Sequence, residues 1–297
     1  MYFTGIVLVL LSFISSACSQ STIYDGSNQG YTSVPSMPTD TSKAILSYNR
    51  IAHILPYTFA AYPNLTEIDL RFNSIASLSP EAFTGSVCEF LQLKGNSLKQ
   101  FPDLSTLNGT LKRLGLISND INYIDPLLAA PLTNLKGLWI GNNNLTTLDG
   151  LKVLSSLDSF GAMSNSITSI PVDIFSAFVS LEVLLLSGNP LSAMPDLLPL
   201  QPVASTLKTL ELGISNQNNF FKEDLSKFNA LTEFDISMLS LEDLYEFSNL
   251  TGLESLEMLT ASYREIQYLP RTFFSELLHL KELTLQHSTI HLMEKVD

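Results

Sequence analysis

Asparagine returns along this chain at Asn49, Asn73, Asn96, Asn119, Asn143, Asn165 and Asn189, with gaps of 24, 23, 23, 24, 22 and 24 residues. Apolar residues stand three and five positions before each one, usually eight before, and again two and five after. Leu65, Ile68, Leu70, Asn73, Ile75 and Leu78 show the spacing whole, as do Leu135, Leu138, Ile140, Asn143, Leu145 and Leu148. The register runs on with the asparagine replaced by Ser215, Leu239, Arg264 and Ser288, at gaps of 26, 24, 25 and 24, which makes eleven units. A sustained period of this length means that one small structural unit is stacked many times.

The chemistry of a unit follows from its spacing. On a short strand, side chains two apart share a face and the one between them points away. Ile68 and Leu70 should therefore point inward and Asp69 outward. Strands of successive units pair in parallel and line a concave face. The asparagine then turns the chain and bonds backbone groups that no ladder satisfies. One unit cannot bury its apolar face alone, so neighbours supply the core. Where Leu239 replaces the asparagine, those backbone groups need another partner, and looser or irregular turns are expected after residue 213.

The pattern L-x-x-L-x-L-x-x-N-x-L-x-x-L resembles the leucine-rich repeat. Phe59, Phe83 and Phe175 fall ten residues after their asparagines, and Phe274 ten after Arg264; Leu55-Pro56, Ile170-Pro171 and Leu269-Pro270 precede three of them. These residues are similar to the 24-residue class of extracellular leucine-rich repeats, with a phenylalanine row under the convex side. The resemblance covers residues 44–297. It implies an α/β solenoid: a horseshoe with a parallel concave β-sheet and an irregular, short-helical convex side. Members of this class are mostly receptor ectodomains, secreted matrix proteins and adhesion proteins. They usually carry cysteine-rich caps, which this sequence lacks; together with a stop nine residues past Ser288, that suggests a piece of a longer receptor-type protein.

The chain divides into three parts. Gly5 to Ile14 is an apolar run broken only by Ser12, followed by Ser15, Ser16, Ala17, Cys18 and Ser19, with no charged side chain before Asp25. That reads as a secretory signal over 1–19, too short to span a bilayer. Residues 20–43 are rich in Ser, Thr, Gly and Pro and are expected to form a flexible leader. Residues 44–297 form the solenoid, its last unit incomplete. The expected location is extracellular, or the cell surface if a further region carries an anchor.

Charge and reactive residues narrow the function. A net charge of −13 argues against nucleic acid and anionic lipid as partners. His287 and His291 are four apart, but the turn after Ser288 separates them, so no metal site is expected. No phosphate-binding loop occurs, no cofactor is implied, and no catalytic constellation is found. Cys88 holds a leucine position and should be a buried thiol. Asn64, Asn108, Asn144 and Asn249 each begin an Asn-x-Thr sequon, expected to carry glycans if exported and exposed.

The residues six, four and two before each asparagine position should project from the concave sheet. They are charged at the N-terminal end, with Glu67, Asp69 and Arg71, and acidic toward the C-terminus, with Glu211, Glu233, Asp235 and Glu282. The middle is apolar, with Phe90, Ile117, Trp139, Met163, Val183 and Leu185, and carries one cation, Arg113. Trp139, between Gly115 and Gly161, is expected to stand as an exposed ridge between shallow recesses. Such a patch points to a non-enzymatic module that grips a protein or peptide. The alternatives are a matrix protein that self-associates, as a homodimer through this face, and the ectodomain of a receptor kinase.

Overall fold

A computed structural model describes residues 22–191, 197–212, 225–236, 253–262 and 277–286. The strands are β1 (Thr22–Asp25), β2 (Thr41–Ile45), β3 (His53–Ile54), β4 (Glu67–Asp69), β5 (Ser77–Leu78), β6 (Phe90–Gln92) and β7 (Arg113–Gly115). They continue as β8 (Gly137–Trp139), β9 (Ser159–Gly161), β10 (Val183–Leu185), β11 (Thr209–Glu211), β12 (Glu233–Ile236), β13 (Met258–Ser262) and β14 (Glu282–Gln286). All but β3 and β5 form one twelve-stranded parallel sheet; those two pair with each other on the flank. The chain is a parallel-strand solenoid, as the periodicity predicts.

Registers are in phase from unit to unit: Ile68 pairs with Leu91, Leu91 with Leu114, and Leu114 with Leu138. The inward residues of the strands and flanks merge into one continuous core, with Leu65, Ile68, Leu70, Ile75 and their equivalents buried. Phe59, Phe83 and Phe175 are fully buried within it. Phe59 and Phe83 stack with centroids 5.2 Å apart, which realises the predicted row; Phe274 lies outside the described residues. Among the described residues, the convex side carries short 3₁₀ segments and one short helix, α1 (Pro126–Ala129), whose first turn is capped by the Asp125 carboxylate accepting from the Leu127 N–H at 2.9 Å.

Each asparagine serves two units. The Asn143 amide donates to the Ile140 and Gly141 carbonyls of its own unit at 3.0 and 3.1 Å, and to Leu116 of the preceding unit at 2.9 Å. Its Oδ1 accepts from the Ile121 N–H of that preceding unit at 2.9 Å. The same Oδ1 contact joins Ile51 to Asn73, Ile75 to Asn96, Leu98 to Asn119, Leu145 to Asn165 and Ile167 to Asn189, at 2.9 to 3.1 Å. The asparagine amide thus has both its donor and its acceptor paired, as burial requires. The Leu191 N–H donates to the Asn189 carbonyl at 2.9 Å; its partner position in the next unit, Ser215, lies outside the described residues. The looser turns expected after residue 213 fall on segments outside the described residues.

The residue before each asparagine adopts a left-handed backbone: Tyr48, Phe72, Gly95, Ser118, Asn142, Ser164 and Gly188 all have φ between 51° and 72°. This conformation aims its N–H at the next strand. Ser118 donates to the Gly141 carbonyl and Asn142 to Met163, at 2.9 and 2.8 Å. The parallel ladder therefore runs beyond the strand before the chain turns away.

The expected flexible leader is corrected by the structure. Thr22–Asp25 is a strand paired in parallel with β2. Asn28 takes the left-handed position, and its N–H donates to the Ser47 carbonyl at 3.0 Å. The Asn49 Oδ1 accepts from the N–H groups of Gln29 and Tyr31, both at 3.0 Å. Tyr24, Tyr31, Val34 and Met37 pack against the end of the core. A polar, leucine-poor segment thus stacks as a half-unit on the first asparagine unit and covers that end of the described core, the kind of polar outer face that a terminal repeat needs. The signal segment 1–19 lies outside the described residues, and no helix among those described is long and apolar enough to cross a membrane.

Candidate functional site

The concave sheet presents three parallel columns of side chains, one residue of each per unit. At the N-terminal end they are paired charges. Lys43 meets Glu67 at 2.6 Å. Arg71 grips Asp69 in a fork, through Nε at 2.8 Å and Nη2 at 2.7 Å.

The middle of the face is apolar but closed, which corrects the expected ridge. Trp139 is only 4% exposed. It sits on the sheet surface, not in the solenoid core, and its ring lies flat across the glycines beside it. A Cβ on Gly137 would collide with the Trp139 ring and stand 2.7 Å from Arg113 Nη1; one on Gly161 would stand 3.1 Å from Trp139 Cδ1 and 3.7 Å from Leu185 Cδ1. The recess expected at Gly115 is filled by the Gln92 side chain. Ile117 and Leu185 are likewise closed, at 9% and 5% exposed. Phe90, Arg113, Met163 and Val183 remain half-buried. The glycines act as seats for their neighbours' side chains, so burying the indole was preferred to leaving it standing in water.

A salt bridge roofs this area. The Arg113 guanidinium lies with its carbon 5.8 Å from the Trp139 ring centroid and reaches two units along to Asp158, Nη1 to Oδ1 at 2.5 Å and Nη2 to Oδ2 at 3.2 Å. Ser159 Oγ donates to the same Asp158 Oδ1 at 2.7 Å. The bare backbone at Gly137 is what lets the guanidinium and the ring cross there. Asp158 was not among the residues singled out from the sequence. Its signal was the glycine between two oppositely charged positions two units apart.

Toward the C-terminal end the face turns acidic. Glu211, Asp235 and Glu233 stand on the adjacent strands β11 and β12, with Glu211 in register with Asp235. Burial pushes the Glu211 carboxyl up to about 7, against the Ser187 hydroxyl, which donates at 2.9 Å, and with help from the charges of Asp235 and Glu233.

Other candidates resolve simply. Cys88 is fully buried and its thiol is pushed up to about 12 by desolvation. Asn64, Asn108 and Asn144 are exposed, while Asn249 lies outside the described residues. His53 and His279 are exposed; His287 and His291 lie outside the described residues. The described residues contain no group of three or more His, Cys, Asp or Glu able to hold a metal ion.

The comparisons with known proteins agree with this architecture. Residues 44–102 match the leucine-rich-repeat family. Toll-like receptor 7 of Mus musculus is 30% identical over 73% of this chain, and Tsukushi of Gallus gallus is 28% identical over 84% of it and 69% of its own length. The chain spans 20% of that Toll-like receptor and 27% of Toll-like receptor 8 of Homo sapiens. Among solved structures, a Leptospira interrogans leucine-rich-repeat protein superposes with a TM-score of 0.64 at 21% identity, over 88% of this chain and 72% of its own. The TLR13–ssRNA13 complex does so at 0.67 and 24%, over 84% of this chain and 40% of the receptor.

Proposed function

We propose, from the premise that this chain is a leucine-rich-repeat protein of the extracellular, receptor-ectodomain-like type, that it is a non-enzymatic binding module recognising a protein ligand on the concave face. The observation that carries this reading is the half-buried set Phe90, Arg113, Met163 and Val183, which surrounds a rigid floor of Trp139, Ile117 and Leu185. A preformed apolar floor with one arginine at its edge costs little ordering on binding, and such a centre ringed by polar groups suits a protein hot spot. One structural neighbour is complexed with single-stranded RNA. Here the net charge of −13 favours protein over nucleic acid, whose binding depends on neutralised phosphates.

The sequence supports export, with 1–19 as a signal. Asn64, Asn108 and Asn144 then carry glycans on the flanks, away from the concave floor. Glycosidase treatment of protein secreted from a eukaryotic host should sharpen its gel mobility; unchanged mobility would refute the glycans.

The test of the binding reading is a screen of the secreted full chain against arrayed extracellular proteins, followed by variants. Met163→Lys and Val183→Asp should weaken a hit by about tenfold or more, while the convex-side Leu127→Asp should leave it unchanged. Binding that survives both concave variants, or that prefers poly(U) to every protein, overturns the reading.

A further inference from the structure

We propose that the rim where the chain leaves the concave sheet in its first three units, formed by Tyr48, Arg71, Phe72 and Lys94, is a second docking platform, for an acidic peptide segment bearing an aromatic side chain. The Tyr48 and Phe72 rings stack with centroids 4.6 Å apart and planes 20° from parallel. The Lys94 ammonium stands 5.8 Å from the centre of the Phe72 ring. Tyr48 is 59% exposed. The Tyr48 N–H donates to the Arg71 carbonyl at 2.9 Å and the Phe72 N–H to Lys94 at 2.8 Å, so the aromatic and cationic residues alternate along one edge of the sheet.

The fold does not ask for these rings. Both occupy the left-handed turn position, at φ 58° and 55°, which costs a non-glycine residue about 1–2 kcal/mol. Gly95 and Gly188 show that the same turn accepts glycine. Gly95 also supplies the seat, since a Cβ there would stand 2.6 Å from Phe72 Cδ1. Tyr48 is exposed and Phe72 half-buried, and neither belongs to the solenoid core, so the stacked pair lies at the surface where a glycine would satisfy the turn.

Charge selects the occupant. The position two before the asparagine is Ser47, Arg71, Lys94, Ile117, Gly141, Met163 and Ser187 in the seven asparagine units. Its only two charges are positive, and both lie beside the stacked rings. Asp69 holds Arg71 and offsets part of that charge. In physiological salt the rest of this acidic protein is screened beyond about 8 Å, so the local cations dominate. Two cations are too few for a polyanion, whose affinity grows with the number of phosphates or sulfates neutralised. They suit a carboxylate or two beside an aromatic side chain that extends the stack.

The platform lies apart from the central floor, so the two proposals fail separately. The probe is a short synthetic peptide alternating glutamate, tyrosine and glycine, titrated against the full chain at about 150 mM salt, where that screening holds. Two controls replace its glutamates by glutamine or its tyrosines by alanine. Phe72→Gly and Lys94→Ala should each weaken binding about fivefold, and Val183→Asp should leave it unchanged. Phe72→Gly relaxes the backbone, so its Tm should hold or rise while binding falls, which separates the platform from a folding defect. Equal binding of either control peptide, no effect of the two rim variants, loss in Val183→Asp, or tighter binding of heparin or poly(U) at matched charge would each overturn the proposal.

Discussion

Glu211 is a carboxylate held out of water by its own sheet. Desolvation raises it from the ordinary 4.5 to about 7, and the neighbouring Asp235 and Glu233 charges add to the rise. Between those values the folded chain keeps a proton that the unfolded chain has lost, so stability falls as pH climbs from about 4.5 to about 7. Glu211→Gln should flatten that fall and stabilise the protein by about 2 kcal/mol at pH 8. Urea titrations of both proteins at pH 5 and pH 8 decide it; parallel pH profiles would contradict the assignment. The turn residues offer an opposite pair. Ser118 and Ser164 sit at φ 58° and 53°, so Ser118→Gly should stabilise by about 0.5–1 kcal/mol. Gly95→Ala should destabilise, because its Cβ meets the Phe72 ring.

At the scale of one coil, the asparagine and the concave glycine carry opposite kinds of demand. Asn143→Ala removes one acceptor and the donor to three carbonyls. Leaving such buried groups unpaired should cost about 3 kcal/mol, read as a lower denaturant midpoint with unchanged m-value. Gly137→Val should cost a similar amount by expelling the Trp139 ring and the Arg113 guanidinium, and should appear as a red-shifted, more quenchable tryptophan emission. The asparagine was legible from the sequence because every unit repeats it with the same apolar frame. The left-handed residue before it was not, because Tyr48, Phe72, Gly95, Ser118 and Asn142 share no chemistry; the backbone, not the side chain, is what repeats. The identity of the concave face was legible too, but its exposure was not. Whether Trp139 stands or lies depends on a reach from Arg113 to Asp158 that skips a unit, and no short-range spacing encodes that. The opening strand escaped notice for a simpler reason. Thr22–Asp25 carries none of the leucines that mark the other coils, and Gln29 and Tyr31 meet the Asn49 side chain through their backbone N–H groups, which any residue type could supply.

For the molecule as a whole, a stack is as good as its ends and its joints. Deleting residues 22–40 would strip Asn49 of the Gln29 and Tyr31 N–H groups and Tyr62 of its bond from the Met37 N–H at 3.0 Å, and would open β2 as a bare edge. Such edges recruit other chains. The expected outcome is a Tm lower by several degrees and association that grows with concentration in light scattering. A monodisperse truncated protein of unchanged Tm would show that the segment is not a cap.

The asparagine that spans two coils has a mechanical consequence. From Asn49 to Asn189, each storey is riveted to the one before it by a side chain that bonds both. Pulled along the stack, this block should therefore yield as one body at a single high load, and Asn119→Ala should create a weak joint at which it parts first and at a lower load.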